Sequence, residues 1–196
     1  MDLEDKREEQ KIRKRNRSRE LNKLQKILKV KFKDKSLLNR AFTHRSYVNE
    51  IKADIRDNER LEYLGDSVLA VVINEYLFKR YEDYLEGDLA KIKSAVVSEV
   101  TLAKIASAVN IGSFILMGKG EERSGGRIRS SILANTLEAL IGAVYLDSGL
   151  NVSKLFVMSL FKNDVERIDN YPTSETLKPH CRNSFRENIS RDRFTK

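Results

Sequence analysis

Three acidic residues, Glu59, Glu62 and Asp66, lie at positions i, i+3 and i+7 of an otherwise largely apolar stretch. At about 100° per helical residue, their side chains project from one narrow sector of a helix. Burying a carboxylate is costly unless a cation or a hydrogen-bond donor compensates its charge. The spacing therefore indicates a shared cation and a reaction that such a cation assists.

A second apolar stretch carries Glu138, with Asn135 three residues earlier on the same helical face. Oxygen ligands favour a hard ion such as Mg²⁺ over Zn²⁺, and the chain has only one cysteine and two histidines. In the structural alternative, these acids form ion pairs with Arg56, Arg60 or other basic residues and have no role in catalysis.

Each of these two acid-bearing stretches contains an interior glycine. Gly65 precedes Asp66, and Gly142 follows Glu138 by four residues. A glycine in a helix interior costs ~1 kcal/mol relative to alanine, so each position needs a reason. A close approach of two helix backbones would supply it and would bring the two sets of acids together.

The elements that must position these residues are helices, and the pattern of apolar residues predicts an all-α fold without a convincing strand pair. Two of the helices, 59–79 and 131–146, are apolar enough to be buried on nearly all sides. The remaining expectations are a helix from Leu21, a helix capped by Ser36, a loop over 48–58, one bent helix or two over 89–110, an exposed mobile loop over 117–130 and a last helix over 150–168 after a break at 147–149.

Length and charge limit the other possibilities. The 196 residues suit one domain, and 37 basic against 29 acidic residues give a formal charge of +8. The excess is concentrated in residues 1–24 and 171–196, which favours a polyanionic partner, although solvated tails are the alternative. We expect a charged, frayed or disordered segment over 1–19, one domain over 20–170, and a basic tail over 171–196.

The cysteine count and the hydropathy pattern indicate the cellular compartment of the protein. A single cysteine, Cys181, excludes an intramolecular disulfide framework and fits a reducing compartment. Unbroken apolar runs such as 69–73 are much shorter than the ~18–20 residues of a membrane span, and the acidic N-terminus does not resemble a secretory signal. We therefore expect a soluble, cytoplasmic protein without a membrane partner.

Several motifs, in order along residues 20–170, resemble those of the ribonuclease III family. The sequence NERLEYLGDSVL at 58–69 resembles the family's signature helix, and LEALIGAVYLD at 137–147 resembles its second catalytic helix. THRSY at 43–47 resembles an early element of the family, and EGDL at 86–89 and GKGEE at 118–122 follow in the family's order.

The resemblance implies an all-helical endonuclease domain that works as a two-fold homodimer and cuts double-stranded RNA with Mg²⁺, which Mn²⁺ can replace. The implied reaction is of the rRNA- and mRNA-precursor processing type, with one site per subunit. The implied catalytic residues are Asp66 and Glu138, the implied metal ligands are Glu62, Asp66, Asn135 and Glu138, the implied RNA or rim contact is Glu59, and the implied dimer contact is Tyr63. An ordinary core aromatic is the alternative for Tyr63.

The sequence departs from the family pattern at two places. The family usually has an aspartate where this chain has Asn135, which keeps an oxygen for the metal but removes one negative charge. Only 26 residues follow Asn170, too few for a double-stranded-RNA-binding domain. The alternative function is therefore a catalytically weakened protein of the same fold that binds double-stranded RNA or a ribonucleoprotein. His44 is interpreted as a structural contact.

Overall fold

Helices account for the regular structure in the part of the chain that the computed structural model describes, residues 3–51 and 55–166. Those residues contain no strand, only an isolated bridge between Thr43 and Leu116, so the all-α prediction is confirmed. The helices are α1 Leu3–Leu28, α2 Lys35–Ala41, α3 Arg45–Ile51, α4 Glu59–Arg80, α5 Glu86–Val96, α6 Glu99–Ala108, α7 Lys119–Arg123 and α8 Ser130–Glu166, with 3-10 turns at Ile111–Phe114 and Gly126–Ile128.

Helices α4 and α8 pack along each other and form the centre of the domain. Their facing side chains, among them Leu69, Ile73, Leu137 and Leu140, are fully buried. Each side chain of this kind contributes ~1.5–3 kcal/mol of transfer free energy when it leaves water. The apolar stretches predicted to be buried helices are thus the core of the fold.

Helix α8 bends where the sequence predicted a break. Gly149 has φ 80° and ψ 178°, a conformation open to glycine but not to residues with a side chain.

By length and composition, Ser130–Phe161 could also cross a membrane, although 44% of its most apolar window is buried inside the domain. Core helices of soluble proteins have the same length and composition, and α8 packs against α4 and α6.

Helix α1 extends back through the charged N-terminal segment to Leu3. Arg17 connects it to the domain, since its Nε donates to Asn39 Oδ1 at 2.7 Å and its Nη1 donates to the Phe114 carbonyl at 2.8 Å. The charged residues therefore continue the helix predicted from Leu21. Residues 171–196, expected to form a basic tail, lie outside the described residues.

The prediction of an exposed mobile loop over 117–130 is wrong. This stretch contains α7 and a 3-10 turn, and Met117 and Gly126 are buried. Arg127 holds it in place by donating Nη1 hydrogen bonds to the carbonyls of Gly112 and Ile115, both at 2.9 Å. These long-range bonds compensate for a composition rich in glycine and polar residues.

Two local predictions also need correction. The first residues of the loop expected over 48–58 belong to α3, which continues to Ile51. Helix α3 has no buried residue, so its sequence shows no hydrophobic period. Asp34, rather than Ser36, caps α2, because its side chain accepts a hydrogen bond from the Ser36 backbone N–H at 2.8 Å. The region 89–110 is two helices, α5 and α6, and Ser98 caps the second.

Candidate active site

The acidic residues of α4 and α8 come together because two glycines let the helix backbones touch. A Cβ atom built on Gly65 would lie 1.8 Å from the Glu138 carbonyl oxygen, and one on Gly142 would lie 2.3 Å from that of Leu61. Since real Cβ atoms essentially never approach closer than 3.0 Å, no larger residue fits either position. The close approach predicted from the two glycines is confirmed.

The predicted metal ligands divide between the two helices. Glu62 and Asp66 lie on α4, and Asn135 and Glu138 lie on α8. Glu62, Asn135 and Glu138 are half-buried, whereas Asp66 is exposed. Glu138 feels the charges of Asp66 and Glu62, and Asn135 hydrogen-bonds Glu62, so the four side chains meet along the contact between α4 and α8, here called the seam.

Electrostatic repulsion across this seam shows in the acid–base properties of its carboxyl groups. Burial, reinforced by the negative charges of Asp66 and Glu62, raises the pKa of Glu138 to about 7. Burial also raises the pKa of Glu62, with a contribution from Glu59, while a hydrogen bond from Asn135 opposes the shift. A concentration of uncompensated negative charge of this kind is what a bound cation would relieve.

The donor set fits a hydrated Mg²⁺ ion. No three His, Cys, Asp or Glu side chains of the described residues are grouped closely enough to enclose a metal by themselves. Mg²⁺ does not require this, because it usually keeps several waters and binds through one or two carboxylates. Glu62, Asp66 and Glu138 supply carboxylate oxygens and Asn135 supplies an amide oxygen, all of the hard type that Mg²⁺ prefers.

Within residues 3–51 and 55–166, the ion-pair alternative fails for Glu62, Asp66 and Glu138, whereas it holds for Glu59, which pairs with Arg45. No lysine or arginine lies within 4.0 Å of the carboxylates of Glu62, Asp66 or Glu138, and Arg56 and Arg60 pair with none of them. The acids are therefore not neutralised by the basic residues that the sequence offered as partners.

A polar cleft of about 410 Å³ adjoins the seam on the side of Glu62 and Asn135. The sequence interpretation missed most of its lining, because α3, α7 and the start of α8 supply residues that are far apart in the chain. The lining residues are His44, Arg45, Asn58, Glu59, Glu62, Glu121, Arg129, Ser131, Ile132 and Asn135.

Ion pairs mark the rim of this cleft. Arg45 Nη1 lies 3.3 Å from Glu59 Oε1, and Arg129 pairs with Glu121. Each guanidinium could exchange its carboxylate partner for a phosphate, because surface ion pairs are weak and Arg binds both anions in the same bidentate manner. Glu59 lies at the rim of the cleft, and its contact with RNA stays a prediction.

Tyr63 is on the opposite side of the signature sequence from the core, with 80% of its surface exposed. The alternative of an ordinary core aromatic is therefore wrong for this residue. Its role as a dimer contact stays a prediction.

Comparisons with known proteins identify the family of the chain. The sequence model of one family, described as Ribonuclease-III-like, matches residues 34–165. Ribonuclease 3 of Treponema denticola is 49% identical over 152 residues, which are 78% of this chain and 62% of that protein. Ribonuclease 3 of Caldanaerobacter subterraneus subsp. tengcongensis is 49% identical over 145 residues, which are 74% of this chain and 64% of that protein.

Solved structures resemble the fold as well. The ribonuclease III nuclease domain from Campylobacter jejuni, described as flexible in the region involved in dimer formation, has a TM-score of 0.68 and 45% identity, over 72% of this chain and 95% of that chain. Dicer from Pichia stipitis shares the fold with a TM-score of 0.54 and 24% identity, over 72% of this chain and 61% of that chain. The chain spans a little over three fifths of the length of the full relatives named above. From the family match and the helical seam that carries the acidic residues, this chain belongs to the ribonuclease-III-like family.

Proposed function

We propose that this chain is the nuclease domain of a Mg²⁺-dependent endoribonuclease that cuts double-stranded RNA. The observation that carries the proposal is the repulsive carboxylate set at the α4–α8 seam, in which the pKa of Glu138 is raised to about 7, next to a cleft with two rim arginines. Negative charge that the protein leaves uncompensated favours a divalent cation, and the arginines favour a phosphate.

In this proposal the chain's own residues bind and orient the reactants. Bound Mg²⁺ supplies charge neutralisation at the phosphate and makes a water more acidic. Glu62 and Glu138 would hold the metal, and the side-chain hydrogen bond from Asn135 would orient the Glu62 carboxylate. Glu138 also orients the attacking water, while Asp66 completes the site from its exposed position on α4.

Duplex RNA fits the cleft better than a small substrate does. The rim carries guanidinium groups rather than an apolar pocket, which suits a ribose–phosphate backbone read by its shape. The basic ends of the chain favour the same polyanion. We propose processing of rRNA or mRNA precursors in the cytoplasm as the setting of this reaction.

A homodimer would place one site against each RNA strand, and an apolar stripe on α4 favours it. Tyr63, Val71 and Phe78 are exposed by 80%, 52% and 73%, and helical spacing puts them within one sector of about 80°. Exposed aromatic and aliphatic side chains on one face are typical of an interface. We propose that a second copy of the chain covers this stripe.

Replacing Tyr63 with alanine is therefore expected to weaken the dimer about thirtyfold or more, because a central aromatic contact is worth about 2 kcal/mol or more. Sedimentation equilibrium measures the dissociation constant. Val100→Ala, which shortens an equally exposed side chain on α6, is the matched control and should leave it unchanged. An unaltered dissociation constant in Tyr63→Ala would exclude this residue from the interface.

The central experiment is cleavage of a long RNA duplex with Mg²⁺ and with EDTA, using the wild-type protein and Asn135→Asp. We expect the wild type to cut only with Mg²⁺. An added carboxylate should lower the Mg²⁺ concentration needed for half-maximal activity about fivefold or more, since one more charge near the ion is worth about 1 kcal/mol or more.

The alternative function is a protein that binds double-stranded RNA or a ribonucleoprotein without cutting it. The observation that favours it is Asn135 itself, whose amide donates a hydrogen bond to Glu62 where an aspartate would add a charge. If the wild type binds the duplex without cutting and Asn135→Asp cuts it, this alternative is correct and the nuclease proposal fails.

A further inference from the structure

His44 lines the cleft, and the hydrogen bonds on one edge of its imidazole ring define its protonation state. Its Nδ1 lies 2.7 Å from Ser46 Oγ and 3.3 Å from the Ser46 backbone nitrogen. The Ser46 backbone N–H is a donor, so Nδ1 acts as the acceptor in that bond. The Ser46 hydroxyl oxygen accepts the backbone N–H of Gly118 at 2.9 Å, and with Nδ1 as an acceptor its own proton is donated to Nδ1.

The Ser46 backbone N–H can only donate, so its contact with Nδ1 requires an unprotonated Nδ1, and the neutral ring then carries its hydrogen on Nε2. Ser46 occupies the Nδ1 edge, and Nε2 has no hydrogen-bond partner among residues 3–51 and 55–166. The ring thus offers one fixed N–H donor on the edge away from Ser46, in a cleft that Glu62 and Asn135 also line.

The charges around the ring keep it neutral at physiological pH. Burial lowers the pKa of His44, and the positive charges of Arg45 and Arg129 lower it further against the opposing carboxylates of Glu121 and Glu59. A neutral imidazole donates a hydrogen bond without adding a charge, so its contribution to binding should not depend on pH above neutrality.

Gly118 explains why this arrangement is built into the fold. A Cβ on Gly118 would lie 2.7 Å from the Ser46 carbonyl oxygen, so only glycine lets the start of α7 approach Ser46 closely enough to bond its hydroxyl. The adjacent Lys119 N–H donates to Glu50 Oε2 at 2.6 Å, which fastens α7 to α3 at the same point. The packing of α7 on α3 therefore fixes the position of the Ser46 hydroxyl beside Nδ1 of His44.

We propose that His44 is a substrate-binding residue whose Nε2–H donates a hydrogen bond to an oxygen of the ribose–phosphate backbone of RNA in the cleft. The assignment rests on the proposed function, since it takes its ligand from the duplex substrate. It gives His44 a role beyond the structural contact that the sequence analysis assigned to it.

The test compares His44→Asn with His44→Gln. Asparagine places a side-chain acceptor near the position of Nδ1 and removes the distal donor, whereas glutamine reaches the position of Nε2 with an N–H. We expect KM for a short RNA duplex to rise about five- to tenfold in His44→Asn with kcat unchanged, the loss of one neutral hydrogen bond to substrate. His44→Gln should remain within about twofold of the wild type.

A second readout does not depend on RNA. Nitrogen-15 chemical shifts of His44 at pH 7.5 should report an unprotonated Nδ1 and a protonated Nε2 in the free protein. Ser107→Ala, which removes an exposed hydroxyl bonded to the Ala103 carbonyl at 2.8 Å, is the control and should change neither KM nor the shifts. Thermal unfolding of each variant separates a lost contact from a lost fold.

The chemical source of the accepting oxygen follows from modified duplexes. If 2′-deoxyribose next to the cleaved bond raises KM for the wild type but not for His44→Asn, the acceptor is a 2′-hydroxyl; if a phosphorothioate does so, it is a phosphate oxygen. If the wild type cuts duplex RNA and His44→Asn has the wild-type KM, the role of His44 is overturned and the proposed function stands. A ring protonated at Nδ1 also overturns the role of His44 alone. A wild type that does not cut overturns the proposed function as well.

Discussion

Replacing Glu138 with glutamine is expected to abolish duplex cleavage and, at the same time, to stabilise the metal-free protein above pH 7. Both effects have one cause. Glu138 is held between Asp66 and Glu62 on a half-buried seam, and this environment raises the pKa of its carboxyl group to about 7. The charge that destabilises the fold is the charge that the proposed metal needs.

The sign of the pH effect follows from the direction of the shift. A carboxyl whose pKa is higher in the folded state than its ordinary value of 4.5 binds its proton more tightly when folded. Stability is therefore greatest below about pH 4.5 for this group and falls as pH rises toward 7. The full shift would correspond to about 3 kcal/mol, and solvent screening of a half-buried group reduces this to about 2 kcal/mol.

Chemical denaturation at pH 5 and pH 8 without metal measures this effect. The wild type should lose stability between the two values, and Glu138→Gln should lose less. Added Mg²⁺ should stabilise the wild type more than the variant, because only the wild type offers the Glu138 carboxylate beside those of Glu62 and Asp66. Cleavage should fall by about a thousandfold, at the upper end of the range seen when one main electrostatic group is removed.

Glu75→Gln is the matched control with the opposite sign. Hydrogen bonds from Lys154 and Lys79 lower the pKa of the exposed Glu75 carboxyl to about 2, so its loss should not stabilise the protein at any pH. Cleavage should be unchanged, because Glu75 lies far along α4 from the acidic seam. If Glu138→Gln retains cleavage, the assignment of the site is wrong.

Local sequence patterns predicted the seam because its determinants are local. The i, i+3 and i+7 spacing of Glu59, Glu62 and Asp66 fixes their common face on a helix, and the two helix-interior glycines indicated where that helix meets its partner. The residues of the core followed from the same periodicity. Which side chains share one face of a helix follows from the residues of that helix alone.

The cleft could not be predicted in the same way, because it depends on contacts across the chain. Arg129 and Glu121 reach it only after Arg127 has fixed α7 against the Gly112 and Ile115 carbonyls. Composition alone made this segment resemble a mobile loop. His44 likewise gains its role from Gly118, 74 residues away in sequence, through the Ser46 hydroxyl.

Replacing Gly65 with alanine is expected to cost about 3 kcal/mol or more of unfolding free energy and most of the activity. The added methyl group would lie 1.8 Å from the Glu138 carbonyl oxygen and 2.9 Å from the Gly142 nitrogen, both of them backbone atoms of α8. Neither can rotate away as a flexible side chain could, so α4 and α8 must separate. Separation opens the most extensive packing contact of the described fold.

Activity should fall further than stability alone explains. Glu62 and Asp66 flank Gly65 on α4, and Glu138 is the residue whose backbone the methyl group would strike. A displacement of about 1 Å at reacting groups can cost a hundredfold in rate. Cleavage by the fraction that remains folded should thus drop about a hundredfold, as measured at a temperature well below the variant's unfolding midpoint.

Gly87→Ala separates the clash from the general effect of adding a methyl group to a helix. Gly87 lies in α5, and no atom lies within 4 Å of the point that an added methyl group would occupy, so alanine there should be neutral or should stabilise the protein by up to about 1 kcal/mol. Helix propensity favours alanine at Gly65 by a similar amount, so any net loss at that position measures the backbone contact itself. If Gly65→Ala unfolds no more readily than Gly87→Ala, the two helices do not touch there, and nothing would then hold Glu62, Asp66 and Glu138 within reach of one ion.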